Sequence, residues 1–191
     1  FVVAQNDGST TSIYIDGQLD FTAAESLFIP TSFNQGAEIR IGATRFGNRR
    51  ITGQLDELRL FDDALSQTQI DSLYALSRPG ADLYKELNYK FFTPVGKDSS
   101  LNDNNLVYNT GNRFTLVEDR NQLPGDSALN IGASLASLKT VKDVYSLNWS
   151  SAAISIWVKN AQPGTIGATG RLVQGRGYAV DVDHNGNILT F

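Results

Sequence analysis

Short apolar alternations, broken at close intervals by tight-turn residues, run through nearly the whole chain, and a period of two residues restricts it to β-structure. Phe1 to Ala4, Ser12 to Asp16, Ala37 to Ile41 and Leu55 to Phe61 alternate or cluster apolar residues as half-buried strands do. Between them stand Asn6-Asp7-Gly8, Asp16-Gly17 and Phe46-Gly47-Asn48, residue types suited to turns. Parity then turns Ile13 and Ile15 toward a core and Ser12, Tyr14 and Asp16 away from it. It likewise puts Ile39 and Ile41 inward and Glu38 and Arg40 outward.

One segment breaks the period. Ser66-Gln67-Thr68-Gln69 has the form of a capping box, in which the Ser66 hydroxyl accepts from a backbone N–H of the first turn and the Gln69 side chain reaches back. Ile70, Leu73, Tyr74 and Leu76 follow at helical spacing, and Arg78-Pro79-Gly80 ends the pattern. The spacing predicts one short helix near 66–76 and a linker over 77–86. Strands resume at Leu87 to Phe92, Ala128 to Ile131 and Ala153 to Val158, separated first by the polar loop Gly96 to Asn105. Tyr178 to Val182 and Ile188 to Phe191 flank Asp183-His184-Asn185-Gly186-Asn187, a strong hairpin signal. The expected class is all-β, an antiparallel two-sheet sandwich with a single short helix.

Composition removes other classes. The 191 residues suffice for one sandwich with a substantial core. Twenty acidic against 16 basic side chains disfavour a surface that tracks phosphates, so no nucleic-acid partner is expected. Cysteine is absent, which excludes disulfides and thiolate metal sites. No apolar run approaches the roughly 20 residues needed to span a bilayer, so no membrane insertion by this segment is expected. The lack of methionine and the Phe1 start predict that a natural start and any signal peptide lie outside these residues.

Two sets of motifs carry a more specific resemblance. Gly53 to Tyr74, with Asp56-Glu57-Leu58-Arg59 on a strand and Ala64-Leu65-Ser66 before the helix, resembles the end of a laminin-G-like (concanavalin-A-like) jelly-roll repeat of bacterial surface proteins. Phe91-Phe92, Asp98-Ser99-Ser100 with Asn102 to Asn105, Asp119-Arg120 with Ser127-Ala128-Leu129, and Ser155-Ile156-Trp157-Val158-Lys159 resemble the beginning of the same repeat. The first loop departs from the family in carrying Thr93-Pro94-Val95-Gly96 where Asp-Gly is usual. On this reading residues 1–76 are the C-terminal half of a jelly roll, 77–86 a linker and 87–191 the N-terminal half. The first and last strands of a jelly roll lie close together, so a linker of about ten residues, reaching at most roughly 33 Å, can join them. Two arrangements stay open: the halves close on each other as one permuted sandwich, or each is completed by a neighbouring repeat or chain.

Calcium is the cofactor the residues suit best, because hard cations take oxygen ligands and the loop from Asp98 to Asn105 presents several within one turn. The resemblance implies Asp98 and Asp103 as ligands, with Asp56 and Glu57 opposite and the ion structural. The alternative is that Asp98, Asn102 and Asp103 make only side-chain-to-backbone turns. For glycan binding, strand parity puts Ser155, Trp157 and Lys159 on the face away from the core, where Trp157 could stack on a sugar. A packed second layer explains the same residue, and Tyr14, Trp149 and Tyr178 invite the same two readings. Arg45, Arg49 and Arg50 form a basic spot suited to acidic glycans or a partner repeat, or simply a solvated hairpin tip.

Enzyme readings fare poorly. The single histidine, His184, sits in the predicted hairpin rather than beside a nucleophile. Retaining glycosidases hold two carboxyls about 5 Å apart, and the Glu-x-Asp-x-x-Glu string that carries them in jelly-roll members is missing. Two functions remain as expectations. One is a non-catalytic repeat of a large secreted or cell-surface bacterial adhesin, binding glycan or a protein receptor. The other is a structural subunit of an extracellular filament, assembled by complementation of half-sandwiches.

Overall fold

Hairpin tips set the register of the N-terminal strands. The computed structural model describes residues 1–25, 39–44, 49–75, 87–90, 97–98, 106–110, 114–118, 127–132, 137–140, 151–163, 170–174, 179–183, 185 and 187–190. Strand β1 (Val2–Asn6) turns through Asp7 and Gly8 into β2 (Thr10–Ile15). The Asp7 carboxylate accepts from the Ser9 N–H at 2.9 Å, the Ser9 hydroxyl at 2.9 Å and the Thr10 N–H at 2.8 Å. Strand β3 (Gln18–Ala24) follows a two-residue loop in which Asp16 and Gly17 both have positive φ, 50° and 83°. That geometry matches the twist of the flanking strands and accounts for the Asp-Gly pair. The alternation reading misses β3, although an Asp-Gly turn after β2 already calls for a partner strand.

Strand β4 (Arg40–Ile41) is two residues long, and Ala37 and Glu38 of the expected strand lie outside the described residues. Strand β5 (Ile51–Phe61) leads to α1 (Gln67–Ala75), the one helix among the described residues. Its start is built as the sequence predicts. Gln69 Oε1 accepts from the Ser66 N–H and hydroxyl, both at 2.8 Å, and the Gln69 N–H reaches the Ser66 Oγ at 3.4 Å. Leu65 before the cap and Ile70 after it are buried in one cluster, a hydrophobic staple that fixes the entry angle. Ile70 and Leu73 supply the buried stripe, Tyr74 is 42% exposed though its ring meets Phe1 at 5.8 Å, and Leu76 lies outside the described residues. This helix is too short to cross a membrane. The linker at 77–86 lies outside the described residues.

The remaining strands are β6 (Leu87–Lys90), β7 (Lys97–Asp98), β8 (Leu106–Thr110), β9 (Phe114–Glu118), β10 (Ser127–Ile131), β11 (Ser137–Thr140), β12 (Ala152–Pro163), β13 (Gly170–Gln174), β14 (Ala179–Val182) and β15 (Ile188–Thr190). They form two antiparallel sheets. One runs β3-β2-β1-β12-β5-β10-β9, with β6 also on β5 and β7 on β6; the other runs β15-β14-β13-β4-β11-β8. Strands from either side of residues 77–86 thus alternate within both sheets. The central joint is β5 against β12, from Ala153 opposite Phe61 to Pro163 opposite Ile51.

Between the sheets lies a core that includes Val2, Ala4, Ile39, Ile41, Leu55, Leu58, Leu60, Ile154, Ile156, Val180 and Val182. A second cluster on the outer face of the larger sheet joins Phe1, Val3, Phe61 and Ala153 to Leu65, Ile70 and Leu73. Alternation explains the division: Val2, Ile154 and Leu60 point inward, while Val3, Ala153 and Phe61 point to the helix. The inward placement of Ile39 and Ile41 follows the sequence parity.

Close backbone approach appears at Gly170, the first residue of β13. A Cβ built there would stand 2.5 Å from Ile51 Cγ2, 3.0 Å from Pro163 Cα and 3.1 Å from the Arg50 carbonyl oxygen. Gly170→Ala is therefore expected to cost about 2 kcal/mol, in the range of core overpacking, with chemical denaturation as the measurement. Asp7 gives a second expectation. Its hydrogen bonds from the Ser9 N–H, the Ser9 hydroxyl and the Thr10 N–H hold its pKa below the usual aspartate range. A depressed folded-state value contributes stability above the unfolded-state pKa and loses it as pH falls through the folded one. Carboxyl NMR titration should place the Asp7 midpoint below the ordinary aspartate value; an ordinary midpoint would show that the turn is not capped in solution.

Candidate functional site

The outer face of the larger sheet, at β5 and β12, gathers several of the residues singled out by sequence. Leu55 and Leu58 both enter the core although three positions separate them, which simple alternation forbids. The register explains it: Ser155 stands opposite Arg59 but Trp157 opposite Asp56, so β5 holds one more residue than β12 across this stretch. Glu57 takes up the slack at φ 48°, forming a β-bulge. A regular strand would put the adjacent Asp56 and Glu57 on opposite faces; the bulge removes that regularity.

Both carboxylates are buried. Asp56 Oδ1 accepts from the Glu57 N–H at 2.9 Å, which stabilises the bulge from within. Glu57 Oε2 lies 3.7 Å from Arg59 Nη2, each side chain 3% exposed. A guanidinium already at Glu57 competes with any cation for the same oxygens. The opposite edge of β5 changes partner here: Gly53 to Leu55 pair with β10, and Leu58 to Leu60 pair with β6. Tyr89 of β6 then pairs with Asp98 of β7, so the backbone of Asp98 lies two strands from Leu58. Asp103 lies outside the described residues, and the side chain of Asp98 is likewise undescribed. Among the described residues no three acidic or imidazole side chains converge as a metal site.

Trp157 occupies the outer face, as parity predicts, and packs there under the helix. Its ring centroid is 5.1 Å from Phe1 and 5.7 Å from Tyr74, the latter stacked at 16°. Tyr14 packs against the same cluster. Trp149 and Tyr178 lie outside the described residues.

The basic spot has a different fate. Arg49 adopts φ 49°, and its carbonyl accepts from the Arg171 N–H at 2.7 Å. Its guanidinium, half exposed, reaches Asp181 Oδ2 at 3.2 Å. Asp181 itself is buried and binds Arg171 through two parallel contacts, Nε to Oδ1 at 2.5 Å and Nη2 to Oδ2 at 2.9 Å. Arg49 thus pins the loop to β13 and β14 from both backbone and side chain. Arg50 precedes β5 and is half-buried, and Arg45 lies outside the described residues, as does His184. The Arg171–Asp181 pair escaped sequence reasoning because the two residues are ten apart on strands whose pairing the hairpin signal alone did not extend. The hairpin itself closes as expected: Asp183 accepts from the N–H groups of Asn185 and Asn187 at 2.8 and 2.9 Å.

Comparison with known families adds one finding. Residues 1–71 match the laminin-G-like family of the concanavalin A-like lectin/glucanases superfamily. This likeness covers the first 71 of the 191 residues. The match covers β1 to β5 and the first half of the helix, whose strands share both sheets with strands of residues 87–190. No curated protein and no solved structure matches the chain.

Removing one partner of a buried ion pair strands the other charge, so Asp181→Asn should destabilise the protein by about 3 kcal/mol. Thermal and urea unfolding read this directly; a loss below about 1 kcal/mol would place the pair among surface contacts of little energetic value.

Proposed function

We propose that this chain is a non-catalytic, laminin-G-like binding module of a large secreted or cell-surface adhesin, contacting glycan or a protein receptor. What supports this reading is how the buried carboxylates of the described residues are used. Glu57 is engaged by Arg59, Asp56 by the backbone of its own bulge, and Asp181 by Arg171 and Arg49. A retaining glycosidase holds two carboxyls about 5 Å apart on either side of the bond it cleaves. These three serve the fold instead. The family name spans lectins and glucanases, so the choice between them falls to the site rather than the architecture. An extracellular or cell-surface setting belongs to this reading.

A structural calcium ion belongs to the same proposal, held by Asp98 and Asp103 with Asp56 completing the oxygen set. It would tie the polar loop after β7 to the bulge in β5. Glu57, held by a guanidinium, is left to the strand.

The test is glycan-array and receptor-panel binding with the intact chain, alongside an assay for reducing-sugar release. Saturable binding without hydrolysis is expected; turnover of any bound glycan overturns the proposal. A chelator should lower the melting temperature, and an unchanged melting curve removes calcium from it.

A further inference from the structure

Strand β3 is the terminal strand of the larger sheet among the described strands, so one backbone edge has no neighbour there. Of the three large apolar side chains exposed in the described residues, two belong to it: Leu19 at 54% and Phe21 at 48%. The register carries a further irregularity. Phe21 stands opposite Ile13 and Leu19 opposite Tyr14, so Asp20 is the extra residue of a bulge. Leu19 therefore falls on the helix-side face, where Tyr14 packs, and Phe21 on the face of Ile13.

Charge distinguishes the segment that carries this edge, and Asp20 lies on the edge strand itself. No lysine or arginine precedes Arg40; the charged residues there are Asp7, Asp16, Asp20, Glu25 and Glu38. The helix adds another carboxylate, because Asp71 Oδ1 lies 3.8 Å from a Cβ built on Gly17 at the β2–β3 turn. Two such edges brought together would align like charges, which disfavours pairing between copies of this chain.

We propose that the β3 edge receives one extended, lysine- or arginine-bearing segment of a protein partner as an added strand. The partner's backbone pairs with the β3 N–H and C=O groups that face no other described strand, its apolar residues cover Phe21, and its cations, on the alternate positions, are drawn to Asp20. This deepens the binding-module reading and rests on it, since it names the class of one receptor.

The probe is a capped peptide, Val-Lys-Ile-Arg-Val, with Val-Glu-Ile-Glu-Val as its anionic counterpart, titrated into the isotopically labelled intact chain. NMR should show amide protection confined to residues 18–24 and to β2. Asp20→Lys and Phe21→Ser should each weaken binding by about two- to fivefold, the size of a lost cross-strand charge or apolar pair. Added salt should weaken it too, and the anionic peptide should fail to bind. Both substitutions are at the exposed edge, and unchanged melting curves verify that the variants fold. Equal binding of the two peptides, protection away from β3, a dimer that Phe21→Ser dissolves, or glycan binding abolished by Phe21→Ser would each overturn the proposal. Glycan binding that survives both substitutions, with no peptide binding, overturns this inference while leaving the module reading intact.

Discussion

The fold depends on the pairing of β5 with β12. These are the two longest strands, eleven and twelve residues, and they come from opposite sides of the helix and linker. Their register carries Leu55, Leu58 and Leu60 into the core with Ile154 and Ile156, while Phe61 and Ala153 turn outward to receive the helix. Both faces of this central pair are thereby occupied. The smaller sheet repeats the arrangement on a lesser scale, with β4 lodged between β13 and β11. Strands of the two segments interleave in both sheets and contribute to one core.

The bulge at Glu57 is where structure and chemistry meet. An extra residue on a central strand leaves backbone groups out of step, and Asp56 meets one of them with its carboxylate. Arg59 offsets the charge of Glu57 in a setting nearly closed to solvent. Asp-Glu-hydrophobic-Arg thus reads as a device for holding a bulge beneath a helix. The same view fits the smaller sheet, where Arg171 and Asp181 tie β13 to β14 and Arg49 adds the loop. Buried pairs of this kind are costly to break by removing one partner, because the other charge is left uncompensated.

Legibility followed locality. The capping box of α1, the Asp-Gly hairpin and the Asp183 hairpin were readable because each is decided by residues within a few positions of one another. So was the inward parity of Ile39 and Ile41. The bulge was not readable, because whether β5 carries one more residue than its partner depends on a strand nearly a hundred residues away. Strands β8, β9, β11 and β13 were missed for a related reason: they are short, and segments such as Gly170 to Gln174 carry too few alternations to stand out. Trp157 was placed on the correct face, yet only the helix reveals that its ring is covered by Phe1 and Tyr74.

Separation along the chain also governs when this joint can form. Roughly ninety residues lie between the end of β5 and the start of β12. At a synthesis rate of about 5–20 residues per second, the first strand waits roughly 5–20 seconds for the second to be made. During that interval Leu55, Leu58 and Leu60 have no opposing sheet. Asp56, Glu57 and Arg59, interspersed among them, keep the waiting strand hydrated and poorly suited to stacking on another like it. Residues that end up nearly sealed from water thus act earlier as solubilising charges for a nascent strand.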